Sequence, residues 1–158
     1  MLKSRAQWQL YIRHAHRETY DRSLDNGLSE KGHQQAEQLV EVLEQVPGLT
    51  RPKKILSSPK LRCLQTAEHL ARWIGGEVIV EPLLDEQRPK EEAPAFFGRI
   101  AKFLVDHQKS SEVAFVSHGD VLALMARFYG SPKDQVRKGD FFLVRAGQVE
   151  IFNGSRGD

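Results

Sequence analysis

The stretch Trp8–His16, WQLYIRHAH, constrains this chain more than any other. Leu10, Tyr11 and Ile12 make a short apolar run of strand-forming residues, and it stops abruptly at Arg13-His14. A strand of this kind belongs in a core and hands its last residues to a rim. In open α/β sheets, ligands bind just outside the carboxyl ends of the strands. Arg13 and His14 are expected at such an end.

The remaining chain supplies partners for that strand. Residues 7–13 form the first expected strand, and the polar, turn-rich residues 20–27 form a loop. Ser29 is a good N-cap for a helix over about residues 30–45, where Ala36, Leu39, Val40 and Leu43 recur at helical spacing. Pro47-Gly48 ends it. Residues 54–57, KILS, form a second strand. Ser58 is then expected to cap a helix with Pro59 at its first position, carrying Leu61, Leu64, Ala67, Leu70, Ala71 and Ile74 inward. Residues 77–80, EVIV, form a third strand, and residues 82–94 form a charged loop. A helix over about residues 95–107 directs Phe96, Phe97, Ile100, Phe103 and Leu104 inward. Residues 113–117, VAFVS, are the most continuous apolar run and are expected at the sheet centre, buried on both faces. Asp120 is expected to cap a helix from Val121 to Tyr129. Residues 141–145 and 148–152 read as a hairpin around Ala146-Gly147, and residues 153–158 as a frayed tail.

Strands alternating with helices predict a three-layer α/β/α sandwich with a mostly parallel sheet, to which the hairpin adds an antiparallel strand. At 158 residues, a single domain over 1–158 is expected. The 23 basic against 21 acidic residues exclude the footprint of a dedicated nucleic-acid binder. No apolar run approaches the roughly 20 residues of a membrane span, and no signal peptide is evident. The single cysteine, Cys63, excludes an internal disulfide and a multi-cysteine zinc site, which fits a reducing cytoplasm. There is no G-x-G-x-x-G after the first strand and no P-loop motif.

Three places share one layout, a strand end followed by polar residues and then a loop or helix. They are Arg13-His14, Ser57-Ser58 with Arg62, and His118-Gly119. If these strands are parallel, all three converge on one edge. Arginine forks and helix N-termini favour phosphate. The histidines add a nucleophile and a proton-sharing group.

On YIRHA at 11–15, GLSEKGHQQAEQL at 27–39, ILSSPKLRCLQTAEHLA at 55–71, LLDE at 83–86 and VSHG at 116–119, the chain resembles the histidine phosphatase (phosphoglycerate-mutase-like) superfamily. The resemblance implies the phosphoglycerate-mutase-like fold and a phosphatase that needs no metal or cofactor. It implies that His14 forms a phosphohistidine intermediate, that Arg13, Arg62 and His118 with Gly119 make the phosphate pocket, and that Glu86 donates a proton, with Asp85 as the fallback. Ala15 stands at the usual glycine of R-H-G. R-H-A is similar to small SixA-type phosphohistidine phosphatases. The implied partner is therefore a phosphohistidine protein or a phosphorylated small molecule, with no nucleic acid or membrane; the oligomeric state stays open.

Two rival readings use the same residues. A phosphate- or phosphoprotein-binding module would need the pocket without turnover. A metal-dependent hydrolase would use His14, His16, His118 and Asp120. Arg17, Arg22, Arg88 and Lys90 could line the mouth, although solvated loop charge is the simpler role for each.

Overall fold

Alternate residues of the strands feed two separate cores, and this splits the molecule into three layers. The computed structural model describes residues 7–19, 21, 23–131, 136–145, 148–152 and 154. Its described strands form a six-stranded sheet in the order β3-β2-β4-β1-β5-β6. Strands β1 (Trp8–Arg13), β2 (Lys54–Ser57), β3 (Val78–Val80) and β4 (Val113–Ser117) run parallel. Strands β5 (Phe141–Arg145) and β6 (Gln148–Phe152) are antiparallel to their neighbours, so the expected hairpin adds two such strands. Its turn residues 146 and 147 lie outside the described residues.

Leu10, Ile12, Ile55, Ala114 and Val116 pack on one face with Leu39 and Leu43 of α1 (Glu30–Glu44) and Leu70 of α2 (Leu61–Ile74). Tyr11, Leu56, Val113 and Phe115 face the other way. They meet Phe96, Ile100 and Phe103 of α3 (Ala93–His107) and Leu122 and Met125 of α4 (Gly119–Phe128). Strand β4 is buried at every position, as its unbroken apolar run requires. The mixed α/β architecture is that of the phosphoglycerate-mutase-like fold. No described helix is long and apolar enough to cross a membrane.

Several local expectations are corrected. Ser58 does not cap α2, whose N-cap is Lys60 with no side-chain bond. The cap comes from far away, because Asp25 Oδ1 accepts from the Leu61 amide at 2.8 Å. That releases the Ser58 hydroxyl for the site. Leu61 therefore sits in the exposed first turn, and Arg62, Cys63 and Thr66 join the buried face instead. Asp120 is not the N-cap of α4 but lies in its first turn, after His118 as N-cap. Phe97 is 49% exposed, since a helix lying on a sheet buries only one stripe, here Phe96, Ile100 and Phe103. The charged loop contains a short 3₁₀ turn over Pro82–Leu84. Of the expected frayed tail only residue 154 is described; Gly154 is buried and its amide donates to Asp140 Oδ1 at 2.9 Å.

Candidate active site

The parallel strands β1, β2 and β4 end side by side, and their pairing continues one residue further. The His14 amide donates to Ser117 O at 3.0 Å, and the Ser58 amide to Val116 O at 3.0 Å. This carries His14, Ser58 and His118 onto one edge. Thr66 then ties β1 to α2: its hydroxyl donates to Arg62 O at 2.8 Å and accepts from the Ala15 amide at 3.1 Å. Gly32 lets α1 approach the same segment, since a Cβ there would collide with the His16 carbonyl oxygen.

The result is a cavity of about 710 Å³ that includes Arg13, His14, Arg62, Glu86, His118 and Gly119 in its lining. All six residues expected from the sequence meet there. The imidazoles of His14 and His118 stand edge to face with centroids 5.4 Å apart. His14 is 4% exposed and His118 is 3%.

Hydrogen bonds settle which nitrogen carries the proton on each ring. His14 Nδ1 lies 2.8 Å from the Ala15 carbonyl oxygen, which only accepts, so Nδ1 is the donor. Burial, with Arg62 and Arg13 nearby, lowers the His14 pKa to about 3 against the smaller opposing effect of the Ala15 carbonyl. The ring is therefore neutral near pH 7, and Nε2 keeps its lone pair. His118 is set oppositely. Arg62 Nη2 donates to its Nδ1 at 3.3 Å, so Nε2 carries the proton and donates to Ser58 Oγ at 2.8 Å. Burial first, then His14 and Arg62, hold His118 well below its ordinary pKa. Cys63 packs its sulfur 3.5 Å from His118 Nε2, and burial pushes its thiol pKa up, so it acts as a neutral wall.

Arg13 is held by its Nη1, which donates to Val136 O at 2.8 Å. Glycine at 119 makes this pose possible, because a Cβ would lie 2.9 Å from the guanidinium carbon of Arg13. Arg62 Nη2 donates to Glu86 Oε2 at 2.8 Å, not to Glu68 as a simple helix-surface pair would require. The Nε atoms of Arg13 and Arg62 are buried and have no hydrogen-bond partner among the described residues. A buried donor left unmatched costs about 1–3 kcal/mol. Two such donors on guanidinium groups mark a place for an oxyanion. Further positive charge surrounds it, as burial and then Arg13, Arg17 and Arg62 lower the Lys138 pKa.

The carboxylates divide clearly. Glu86 lines the cavity, with Oε2 3.8 Å from His118 Nδ1. Asp85 is buried and turned to its own loop, where Oδ1 accepts from the Glu86 amide at 2.9 Å. The metal constellation does not assemble. His16 directs Nδ1 to Ser29 Oγ at 2.7 Å, and Asp120 Oδ2 accepts from the Gln87 amide at 2.9 Å. Among the described residues no cluster of three or more potential ligands could hold a metal ion. Arg17 is not a solvated loop charge: it is 7% exposed and donates to Asn26 Oδ1 and the Asp21 and Leu24 carbonyls. Arg22 lies outside the described residues. Lys138 had no sequence signal, standing far beyond the last motif. Thr66 did have one, inside Q-T-A.

The sequence model of the histidine phosphatase superfamily (branch 1) matches residues 10–92. The chain belongs to this superfamily of phosphoric ester hydrolases. No curated protein matches it closely enough to report. Among solved structures, it is similar to a putative alpha-ribazole-5'-P phosphatase from Escherichia coli K-12, with a TM-score of 0.74 and 19% identity over 98% of this chain and 100% of that one. The alpha-ribazole phosphatase of Shigella flexneri gives 0.71 and 18% over 96% and 98%. A mycobacterial glucosyl-3-phosphoglycerate phosphatase in complex with inorganic phosphate gives 0.72 and 20% over 95% and 98%. At these identities the structural likenesses establish the fold.

Proposed function

We propose that this protein is a phosphatase that works through a phosphohistidine on His14. The observation that carries the reading is the cavity in which a buried, neutral imidazole with an Nε2 lone pair meets two guanidinium groups whose Nε donors have no partner among the described residues. His14 Nε2 attacks phosphorus and the bond to the leaving oxygen breaks. Arg13 and Arg62 supply positive charge and donors for the peripheral oxygens, the main need of phosphoryl transfer, and neutral His118 completes the pocket wall beside them. Glu86 gives its proton to the leaving oxygen. It then takes one from the water that attacks phosphohistidine, which releases inorganic phosphate and restores His14. No metal is needed where two arginines neutralise the phosphate.

The substrate class is a small phosphomonoester. The support is Glu86 on the cavity wall, since an alkoxide leaving group needs a proton and a phosphohistidine needs it less. The solved relatives are named for small phosphorylated molecules as well. The second reading, a phosphohistidine protein as substrate, draws on R-H-A at residues 13–15. Turnover of p-nitrophenyl phosphate with EDTA present tests the first step. Full activity supports arginine-based catalysis, and no turnover with intact phosphate binding would favour a binding module. A panel of sugar, nucleotide and glycolytic phosphates beside a phosphohistidine protein separates the substrates. Glu86→Gln should lower kcat/KM on alkyl esters and spare it on p-nitrophenyl phosphate and on the phosphohistidine protein.

A further inference from the structure

The loop that carries Glu86 has no regular structure after Leu84, yet it is held from behind by one side chain. Arg99 of α3 is outside the cavity lining, and its side chain is 7% exposed. Its Nη1 donates to Leu83 O at 2.8 Å and to Asp85 O at 2.7 Å. Nη2 donates to Glu86 O at 3.0 Å and to Glu91 Oε1 at 2.7 Å, and Nε donates to Glu91 Oε2 at 2.9 Å. All five N–H donors of a guanidinium are thus used, three on the carbonyls that bracket Glu86 and two in a fork on one carboxylate. The Phe96 ring lies 5.2 Å beneath the guanidinium carbon and fixes its plane. The Arg99 hydrogen bond is the main cause that holds the Glu91 carboxyl down at about 2.

The geometry points to Arg99, braced by Glu91, as the positioning residue that sets the reach of Glu86 toward the leaving group. The inference rests on Glu86 being the proton donor. The loop backbone has two other such anchors, Ser117 Oγ donating to Leu84 O at 2.6 Å and the Gln87 amide donating to Asp120 Oδ2 at 2.9 Å, while the Glu86 carboxylate accepts from Arg62 Nη2 at 2.8 Å. They hold residues 84 and 87 on either side. Without Arg99 the loop stays attached while residues 85 and 86 are released between its anchors. The Glu86 carboxylate, left on Arg62 with an unfixed backbone behind it, then loses a set distance to the reacting oxygen, and a displacement near 1 Å costs about a hundredfold in rate. Lysine cannot replace this fork, having three donors on one atom and no plane.

Arg99→Gln and Glu86→Gln would be assayed together on two substrates, p-nitrophenyl phosphate and the best alkyl monoester of the panel. The p-nitrophenolate ion leaves without a proton and an alkoxide does not, so a misplaced acid lowers only the second in kcat/KM, which reports the steps up to departure of the leaving group and not the later attack of water on phosphohistidine. Arg99→Gln is expected to lower kcat/KM on the alkyl ester about tenfold or more and on p-nitrophenyl phosphate less than about threefold, with the basic limb of the alkyl kcat/KM profile lost. Equal falls in kcat/KM on both substrates, or an unchanged alkyl kcat/KM, would overturn the positioning role. If Glu86→Gln lowers the alkyl-to-aryl ratio and Arg99→Gln does not, the clamp alone fails. If Glu86→Gln leaves that ratio unchanged, or the wild type turns over no alkyl ester, Glu86 is not the acid and the clamp has no object. Should Arg99→Gln fail to fold, Arg99→Lys and Glu91→Gln are read the same way.

Discussion

Acid should destabilise this protein through its proposed nucleophile, and the size of the effect follows from the fold. His14 is 4% exposed, and burial with two neighbouring guanidiniums lowers its pKa from 6.5 to about 3. An unfolded chain returns the ring to its ordinary value, so the unfolded state binds the proton more readily. Stability from the neutral ring is therefore complete above about pH 6.5 and is lost as pH falls toward the folded value. Each pH unit below the unfolded value costs about 1.36 kcal/mol while the native ring stays neutral. At about pH 5 the loss is about 2 kcal/mol, and it is nearly the same for any native value under about 4. The assay is urea unfolding of the wild type and His14→Asn at about pH 8 and about pH 5, in buffers without phosphate, because an oxyanion bound to the native state would mask the loss. His118, His69 and His16 are also lowered chiefly by their own burial, and they are present in both proteins, so their share largely cancels. The wild type should lose about 2 kcal/mol more than the variant between the two pH values. Equal losses would refute a neutral, buried His14. The same neutral ring predicts that turnover persists at about pH 5 while stability falls.

Other outcomes follow from single contacts. Gly119→Ala places a methyl 2.9 Å from the Arg13 guanidinium carbon, and the side chain must swing away. Binding of inorganic phosphate, measured by calorimetry, should weaken about tenfold, the worth of a charge-assisted hydrogen bond, with little change in Tm. Thr66→Val leaves the buried Ala15 amide without its acceptor, so urea unfolding should show a loss of about 1–3 kcal/mol. Gly32→Ala drives a methyl into the His16 carbonyl, which is backbone and yields poorly. Its cost should be about 1–3 kcal/mol or more in the same measurement.

The alternation of apolar runs with helical periods was enough to specify the layers. An α/β sheet has few ways to bury such runs, and parallel strands bring their carboxyl ends to one edge. That is why Arg13, His14, Arg62, His118 and Gly119 were legible as a group before their distances were known. Glu86 could be nominated beside Asp85, but choosing between them took the fold, which turns one carboxylate into the cavity and the other into its own loop. The local rules failed where a distant residue outcompeted a near one. Ser58 and Asp120 both sit where a cap is expected, yet Asp25 caps α2 from across the chain, and the two side chains serve His118 and the Gln87 amide instead. The tautomers of His14 and His118, the saturated fork of Arg99 and the arrival of Lys138 have no sequence signature at all. Each depends on which carbonyl, carboxylate or guanidinium stands opposite. Spacing along a chain encodes which face a side chain takes, while its hydrogen-bond partners come from wherever the packed layers bring another segment within about 3 Å.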